Sequence, residues 1–118
     1  MSREFGKVAV LGWGLLGGSV GLAARKRAVA ECIAAASRSQ APLRQALADG
    51  VVDEIGEVAD CVRGAELVVL ATPVGIMPAM VSEAAPHLSP GTLVTDLGSI
   101  KGTLADTLPG LLPGGVHY

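Results

Sequence analysis

A chain of 118 residues, 50% of them apolar and with one Trp, one Tyr and one Phe, has room for one largely aliphatic core, so we expect one small domain. Nine Lys and Arg against eleven Asp and Glu give a formal net charge of −2, which does not predict binding to nucleic acid or to an anionic membrane. No apolar run approaches the ~20 residues of a membrane span, and the N-terminus lacks a signal-peptide pattern. We therefore expect a cytoplasmic protein.

Strand and helix signals alternate along the chain with short connections, as is typical of parallel βαβ units. Strands are predicted at residues 7–11, 31–36, 66–72 and 92–96, with a very short one after residue 51. Helices are predicted at 15–27, from 41 until Gly50, in a short stretch before Gly64, at 75–85 and up to about residue 108. In the first helix, the side chains expected to face the sheet are Leu15, Leu16, Val20 and Leu22. The pattern predicts an α/β fold with a Rossmann-type, doubly wound, mainly parallel sheet.

The most specific motif is a Gly-x-Gly-x-x-Gly run that follows the first strand directly and opens the first helix. Gly12 allows a sharp turn, Gly14 leaves space beside a pyrophosphate, and Gly17 lets the helix approach the strand closely. The N–H groups and the dipole at the helix N-terminus favour the negative charge of that pyrophosphate. We therefore predict a dinucleotide-binding turn in which the cofactor contacts Gly12, Trp13, Gly14, Leu15, Leu16 and Gly17.

The end of the second strand indicates which dinucleotide binds. NAD-specific sites place an acidic residue about twenty residues past the glycine turn, where it holds the adenosine ribose hydroxyls. This chain has Ser37, Arg38 and Ser39 at that point, and no carboxylate. Hydroxyl groups and a planar guanidinium suit a 2′-phosphate. The three residues are therefore predicted to bind NADP, with NAD as the alternative cofactor and a solvated loop role as the alternative for Arg38.

Two further segments lie where strands of the predicted sheet end, which is where ligands of open parallel sheets collect. Thr72 and Pro73 follow the fourth strand, and we predict that they contact the cofactor, although a strand-ending proline turn would look the same. Ser99 and Lys101 follow the fifth strand and would place a hydroxyl and a cation where substrate meets the nicotinamide. Singly, they could be a helix N-cap and a surface cation. Together with the glycine turn, they favour a functional site.

The cysteines and histidines do not form a site in the sequence. Cys32 falls in a predicted strand and Cys61 in a predicted helix, and no Cys-x-x-Cys motif or Cys/His cluster occurs. His87 stands at the end of a predicted helix, next to a proline. We expect structural roles for these three residues, and no metal site.

Three segments, 8–19, 69–74 and 95–102, make the chain resemble the nucleotide-binding half of the prephenate/arogenate dehydrogenases. The glycine turn is shared with many oxidoreductases, whereas the Gly-Ser-x-Lys run at Ser99 and Lys101 is more particular to this family. The resemblance extends over nearly all of the chain. It argues against other two-domain NADP oxidoreductases, such as β-hydroxyacid dehydrogenases and ketopantoate reductases, which share only the turn.

The resemblance implies an oxidoreductase of tyrosine biosynthesis. Prephenate dehydrogenases decarboxylate prephenate oxidatively to 4-hydroxyphenylpyruvate, and the alternative, arogenate dehydrogenase, gives tyrosine. It implies that Ser99 is catalytic and binds substrate beside the nicotinamide, and that Lys101 also binds substrate. The family's catalytic histidine belongs to a Gly-His-Pro motif, which His117 does not match because no proline follows it.

We expect residues 1–118 to be one NAD(P)-binding domain and a fragment of a longer two-domain enzyme. The final residues, from 116 on, resemble the start of an unfinished sixth strand, and the helical domain through which the family dimerises is absent from the sequence. The fragment alone is therefore expected to bind nucleotide with little or no turnover, and the full-length protein to be a homodimer. A non-catalytic NADP-binding module is the alternative from another functional class.

Overall fold

The computed structural model describes residues 5–96 and 112–116, except for the side chains of Leu15, Leu16 and Val74. The strands of this part of the chain are β1 (Phe5–Leu11), β2 (Ala30–Ala36), β3 (Glu54–Ile55), β4 (Leu67–Leu70) and β5 (Leu93–Asp96). Its helices are α1 (Leu15–Arg27), α2 (Gln40–Ala48), α3 (Val58–Val62) and α4 (Met77–Ala84), with 3-10 turns at Val74–Ile76 and Ala85–His87. All strand pairs are parallel and follow the order β3-β2-β1-β4-β5. The predicted Rossmann-type α/β fold is confirmed.

The central strand, β1, pairs with β2 on one side and with β4 on the other. Val10, for example, lies opposite both Ala35 and Val69. From β1 the chain moves outward through β2 to β3, then crosses back to β4 and continues to β5. The strand order therefore reverses beside β1, and a crevice opens there at the carboxyl ends of the strands.

Helices cover both faces of the sheet. Leu43 of α2 and Val20 of α1 pack on one face, against a buried cluster that includes Val10 and Ile33. The second cluster, on the opposite face, is formed by strand residues and by side chains of α3 and α4: Leu11, Val58, Val62, Leu70, Met77 and Val81. Because both faces are covered, residues 8–11 of β1 and the whole of β4 are continuous apolar runs, whereas the edge strand β5 alternates between exposed and buried residues.

The expectation that Leu22 faces the sheet is wrong, because this side chain is 43% exposed. Val20 and Ala24 pack on the core instead, and Leu22 lies about 200° around the helix from Val20. The fourth strand is shorter than predicted at its carboxyl end. Ala71 N still donates to Leu11 O at 2.8 Å, so Thr72 is the first residue to leave the ladder.

The segment predicted as one helix at 75–85 contains α4 between two 3-10 turns. His87 ends the second turn, as expected for a helix-end residue. Val116 is not in a strand, and Gly115 O accepts a hydrogen bond from Gly91 N at the turn before β5. Residues 97–111, with the predicted last helix, and residues 117 and 118 lie outside the described part of the chain.

Both cysteines lie on the predicted elements. Cys61 is buried in α3, where its Sγ donates to Ala35 O at 3.3 Å, and burial raises the pKa of this thiol to about 11. Burial, with smaller contributions from Glu54 and Asp53, also raises the pKa of Cys32. Both are therefore protonated, poorly nucleophilic thiols at neutral pH. Among the described residues, no three His, Cys, Asp or Glu side chains are grouped as metal ligands would be.

Candidate dinucleotide site

The glycine turn connects the buried end of β1 to the start of α1. Gly12 has a φ of +100°, and a Cβ there would lie 2.8 Å from Thr72 Cγ2 and 2.9 Å from the Ala71 carbonyl carbon. A Cβ on Gly17 would lie 2.0 Å from Gly12 O, so α1 approaches the turn at a distance that only glycine allows. Both positions therefore require glycine for the turn to form at all.

Gly14 differs from its two neighbours in the motif. A Cβ on Gly14 would meet no described atom within 4 Å, and its φ is −97°, which other residues adopt without strain. The fold of the described residues does not explain a glycine here, whereas a ligand lying directly on the backbone would. This open position fits the predicted approach of a pyrophosphate.

The start of α1 has the features of an anion-binding helix end. Gly14 is the N-cap residue, it provides no side-chain cap, and the first turn contains no acidic residue. The N–H groups of a first helical turn have no partner within the helix, so they point toward the space above the turn. Three basic residues occupy the last turn instead, where they complement the negative end of the dipole: Arg25, Lys26 and Arg27.

The indole of Trp13 lies against α1. An added Cβ on Gly21 would be 2.3 Å from Trp13 Cη2, and one on Gly18 would be 3.9 Å from its Nε1. The half-buried ring also packs on the core beneath α1 and α2. Because the indole is held against the helix that begins at the turn, its emission will respond to a ligand bound there.

Thr72 lies beside the glycine turn, one residue after the last ladder bond of β4. Its Cγ2 lies closest to the Cβ position of Gly12, and its Oγ1 is buried with no hydrogen-bond partner among the described residues. An unpaired buried hydroxyl costs about 1–3 kcal/mol. A polar atom of a ligand bound at the turn would satisfy this hydroxyl, so the residues present fit a dinucleotide. Pro73, which follows, is exposed.

The end of β2 lies next to the turn, since Gly12 N donates to Ala36 O at 2.7 Å. Ser37 is half-buried: its Oγ accepts from Ser39 N at 3.3 Å, and its carbonyl accepts from Gln40 Nε2 at 2.7 Å. Arg38 and Ser39 are exposed. Within the described residues, the Arg38 guanidinium forms no ion pair, so it is available to an anionic ligand.

A cleft of about 330 Å³ extends from the end of β2, a volume at the low end for small-molecule pockets. Its wall consists of residues from three segments of the chain: Ala36, Ser37, Arg38 and Gln40; Gly56, Glu57 and Val58; and Ile76, Ala79, Met80 and Glu83. The second and third groups were not predicted from the sequence. The i, i+3, i+4, i+7 spacing of the four residues around α4 marks one helix face, but nothing in the sequence shows that this face lines a ligand cleft.

The structure thus brings the glycine turn, Thr72 and the Ser37–Ser39 loop to one edge of the sheet, around the reversal of strand order. Ser99 and Lys101 lie outside the described residues, so their predicted roles stay predictions. The strand that leads to them ends at Asp96, which is buried and lies opposite Leu70 at the end of β4. β5 therefore ends at the same edge of the sheet as β4.

Residues 20–118 match the family model of the prephenate dehydrogenase nucleotide-binding domain. The chain belongs to this family. A cyclohexadienyl dehydrogenase from Zymomonas mobilis is 32% identical over 113 residues, which cover 92% of this chain and 38% of the relative. The predicted family is confirmed.

Two solved structures are similar along most of the chain. The prephenate dehydrogenase from Aquifex aeolicus, in complex with hydroxyphenyl propionate and NAD+, superposes with a TM-score of 0.86 at 25% identity, over 98% of this chain and 41% of the other. The Synechocystis arogenate dehydrogenase gives 0.84 at 31% identity, over 92% and 38%. The chain therefore spans about two fifths of the length of these relatives.

Proposed function

We propose that this chain is the NADP-binding part of a dehydrogenase that oxidatively decarboxylates prephenate to 4-hydroxyphenylpyruvate, with arogenate as the alternative substrate. The family match supports the reaction class, and the similar proteins bear the names of prephenate, arogenate and cyclohexadienyl dehydrogenases. The observation that carries the nucleotide assignment is the open Gly14 position at the bare start of α1, next to the unpaired Thr72 hydroxyl. Both features are explained by a ligand at the turn.

Different residues at the carboxyl edge of the sheet bind different parts of the dinucleotide. The pyrophosphate lies on the turn from Gly12 to Gly17, where the N–H groups of the first turn of α1 donate to it. The Thr72 hydroxyl provides a further polar contact beside the same turn. The adenosine lies toward β2, where Ser37, Arg38 and Ser39 hold its 2′-phosphate and the three-walled cleft takes the base. When bound, the nicotinamide supplies the hydride acceptor of the reaction.

Substrate chemistry is assigned to residues that follow β5. Ser99 is proposed to contact the reacting hydroxyl, and Lys101 to bind the acidic substrate as a cation. Both proposals rest on the Gly-Ser-x-Lys motif that the chain shares with its family. The residue that removes the hydroxyl proton is assigned to the remainder of a longer two-domain enzyme, since the chain spans only 38% of the Zymomonas relative. The 118 residues alone are expected to bind nucleotide and to turn over little or no substrate.

The preference for NADP rests on the loop after β2. Ser37 stands at the point where NAD-specific sites have a carboxylate, and the neighbouring Arg38 has no competing ion pair within the described residues. NAD is the alternative, since the Aquifex relative was solved with NAD+. A non-catalytic NADP-binding module would share these residues. A reading frame that continues past Tyr118 into a Gly-His-Pro motif would favour the enzyme.

Two wider assignments belong to the same proposal. No helix in the described residues is long and apolar enough to cross a membrane. We place the protein in the cytoplasm, where tyrosine biosynthesis would supply its substrate. We also propose a homodimer for the full-length enzyme, formed through the part of the family's length that this chain does not cover.

A change at Gly14 tests the nucleotide site without damaging the fold. Gly14→Ala adds a methyl group to open space, so the melting temperature should change little, while NADPH affinity measured by calorimetry should fall about tenfold or more. Gly114→Ala is the matched control, because that position is equally open and lies outside the turn. Unchanged NADPH affinity in Gly14→Ala would contradict the placement of the pyrophosphate on this turn.

A further inference from the structure

The cleft is lined by a carboxylate, that of Glu57, which comes between β3 and α3 and does not follow β2, where NAD-specific sites have theirs. In the parallel pairing of β2 with β3, Ala34 lies opposite Glu54 and Ala35 opposite Ile55. Gly56 N continues the contact by donating to Ala35 O at 3.3 Å. Glu57 follows β3 by two residues, as Ser37 follows β2 directly, and both residues line the same cleft.

Glu57 is free to act on a ligand. It precedes α3 as the N-cap residue, but its side chain makes no capping hydrogen bond. It is exposed, and within the described residues its carboxylate takes part in no ion pair, although it lines the same cleft as Arg38. The cleft therefore presents a guanidinium and a carboxylate side by side, neither of them neutralised by the other.

These two charges favour different cofactors, because they interact differently with the 2′ position of the adenosine ribose. The guanidinium attracts a 2′-phosphate, whereas a carboxylate repels it and accepts hydrogen bonds from free ribose hydroxyls. The position after β2 that normally provides the carboxylate holds Ser37, and Glu57 lines the same cleft.

We propose that Glu57 is a second determinant of cofactor specificity, which replaces the missing carboxylate of β2 from the side and limits the selectivity for NADPH that Arg38 creates. The proposal rests on the dinucleotide site described above. It predicts that the wild-type protein binds both cofactors, with NADPH favoured by less than Arg38 alone would give.

The charge-neutral variant Glu57→Gln separates the two effects. Its ratio of NADH to NADPH dissociation constants should rise about threefold to tenfold over wild type, because NADPH binding improves and NADH binding does not. Glu31→Gln is the matched control, because it removes the same charge near the opposite end of β2, away from the residues that line the cleft. It should not change the ratio by more than about twofold.

The dissociation constants are obtained by titrating the 118-residue chain with NADPH and NADH, after melting curves have shown that each variant is folded. An unchanged ratio in Glu57→Gln overturns the inference, and an equal rise in Glu31→Gln overturns the specific role of a carboxylate in the cleft. Failure of the wild-type chain to bind either cofactor would instead overturn the proposed nucleotide site, so the two failures are distinguishable.

Discussion

Polar side chains at the two ends of the sheet differ in whether another described residue pairs with them. At the amino-terminal end, Lys7 Nζ donates to the carbonyls of Asp60 and Arg63, at 3.2 and 2.9 Å, and pairs with Glu54 at 3.6 Å. Thr92 Oγ1 donates to Ala65 O at 3.0 Å. At the carboxyl end, Thr72 Oγ1 has no partner and Arg38 no ion pair within the described residues.

The difference indicates which polar residues stabilise the fold and which are available to bind a ligand. Where each polar group is matched by another part of the chain, its removal costs stability because the partner is left buried or unpaired. Where a group has no partner among the described residues, it does not contribute to stability, and a ligand bound there could provide the partner. Changes at the amino-terminal end should therefore affect melting, and changes at the carboxyl end should affect nucleotide affinity.

The largest expected effect is that of Gly17→Ala, at a position of the carboxyl edge where folding and binding coincide. The added methyl carbon would lie 2.0 Å from Gly12 O, so α1 must move away from the turn. We expect a loss of about 3 kcal/mol in the free energy of unfolding. Urea denaturation measures it, and Gly114→Ala, which meets no described atom within 4 Å, should unfold like wild type. An equally stable Gly17→Ala would contradict the close packing of α1 on the turn.

Lys7→Met tests the amino-terminal end. The apolar stem is kept while the charge that holds the last carbonyls of α3 is lost, so stability should fall by about 1–2 kcal/mol. The half-exposed Glu54 partner adds little to this figure. NADPH affinity should remain within about twofold of wild type. A large loss of affinity without a loss of stability would reverse the assignment of the two ends.

Arg38→Gln makes the opposite change at the carboxyl end. Because the guanidinium is exposed and has no ion pair among the described residues, melting should not change. NADPH affinity should fall about tenfold through loss of the contact to the 2′-phosphate, with NADH affinity unaffected. Equal losses for both cofactors would show that Arg38 contacts another part of the dinucleotide.

Thr72→Val should have the smallest effect, but it should change stability and NADPH affinity in opposite directions. Valine has nearly the same shape and removes a buried hydroxyl that has no partner among the described residues, so stability should stay constant or rise by up to about 1 kcal/mol. NADPH affinity should fall about threefold, because the contact to the ligand is lost. Thr92→Val is the matched control: its hydroxyl is bonded to Ala65 O, so stability should fall and affinity should not.

Much of the fold could be predicted because the signals are local. The bounds of α1 agree with the prediction at both ends, since a glycine turn starts the helix and a cluster of basic residues ends it. Leu22 was misplaced because α1 packs through small residues, so its largest side chains do not mark the buried face. The two-residue strand β3 left almost no pattern to detect.

The site was only partly predictable, for a different reason. The glycine turn and the loop from Ser37 to Ser39 are contiguous motifs whose chemistry can be inferred from the sequence. Glu57 and the α4 wall are contiguous with neither, and they join the cleft only through strand register and the crossing of the chain to β4. Such residues become visible only when the sheet order is known.

The central claim is that the carboxyl edge of this sheet binds NADP. Titration of the 118-residue chain with NADPH and, separately, with NADH tests it most directly, with the emission of Trp13 as the signal. The indole lies against α1 at Gly21, close to the turn, and it is the only tryptophan. Saturable quenching at lower concentrations of NADPH than of NADH is the predicted result. Stronger binding of NADH would contradict the assignment of the 2′-phosphate to Arg38, and no saturable response to either would contradict the nucleotide site itself.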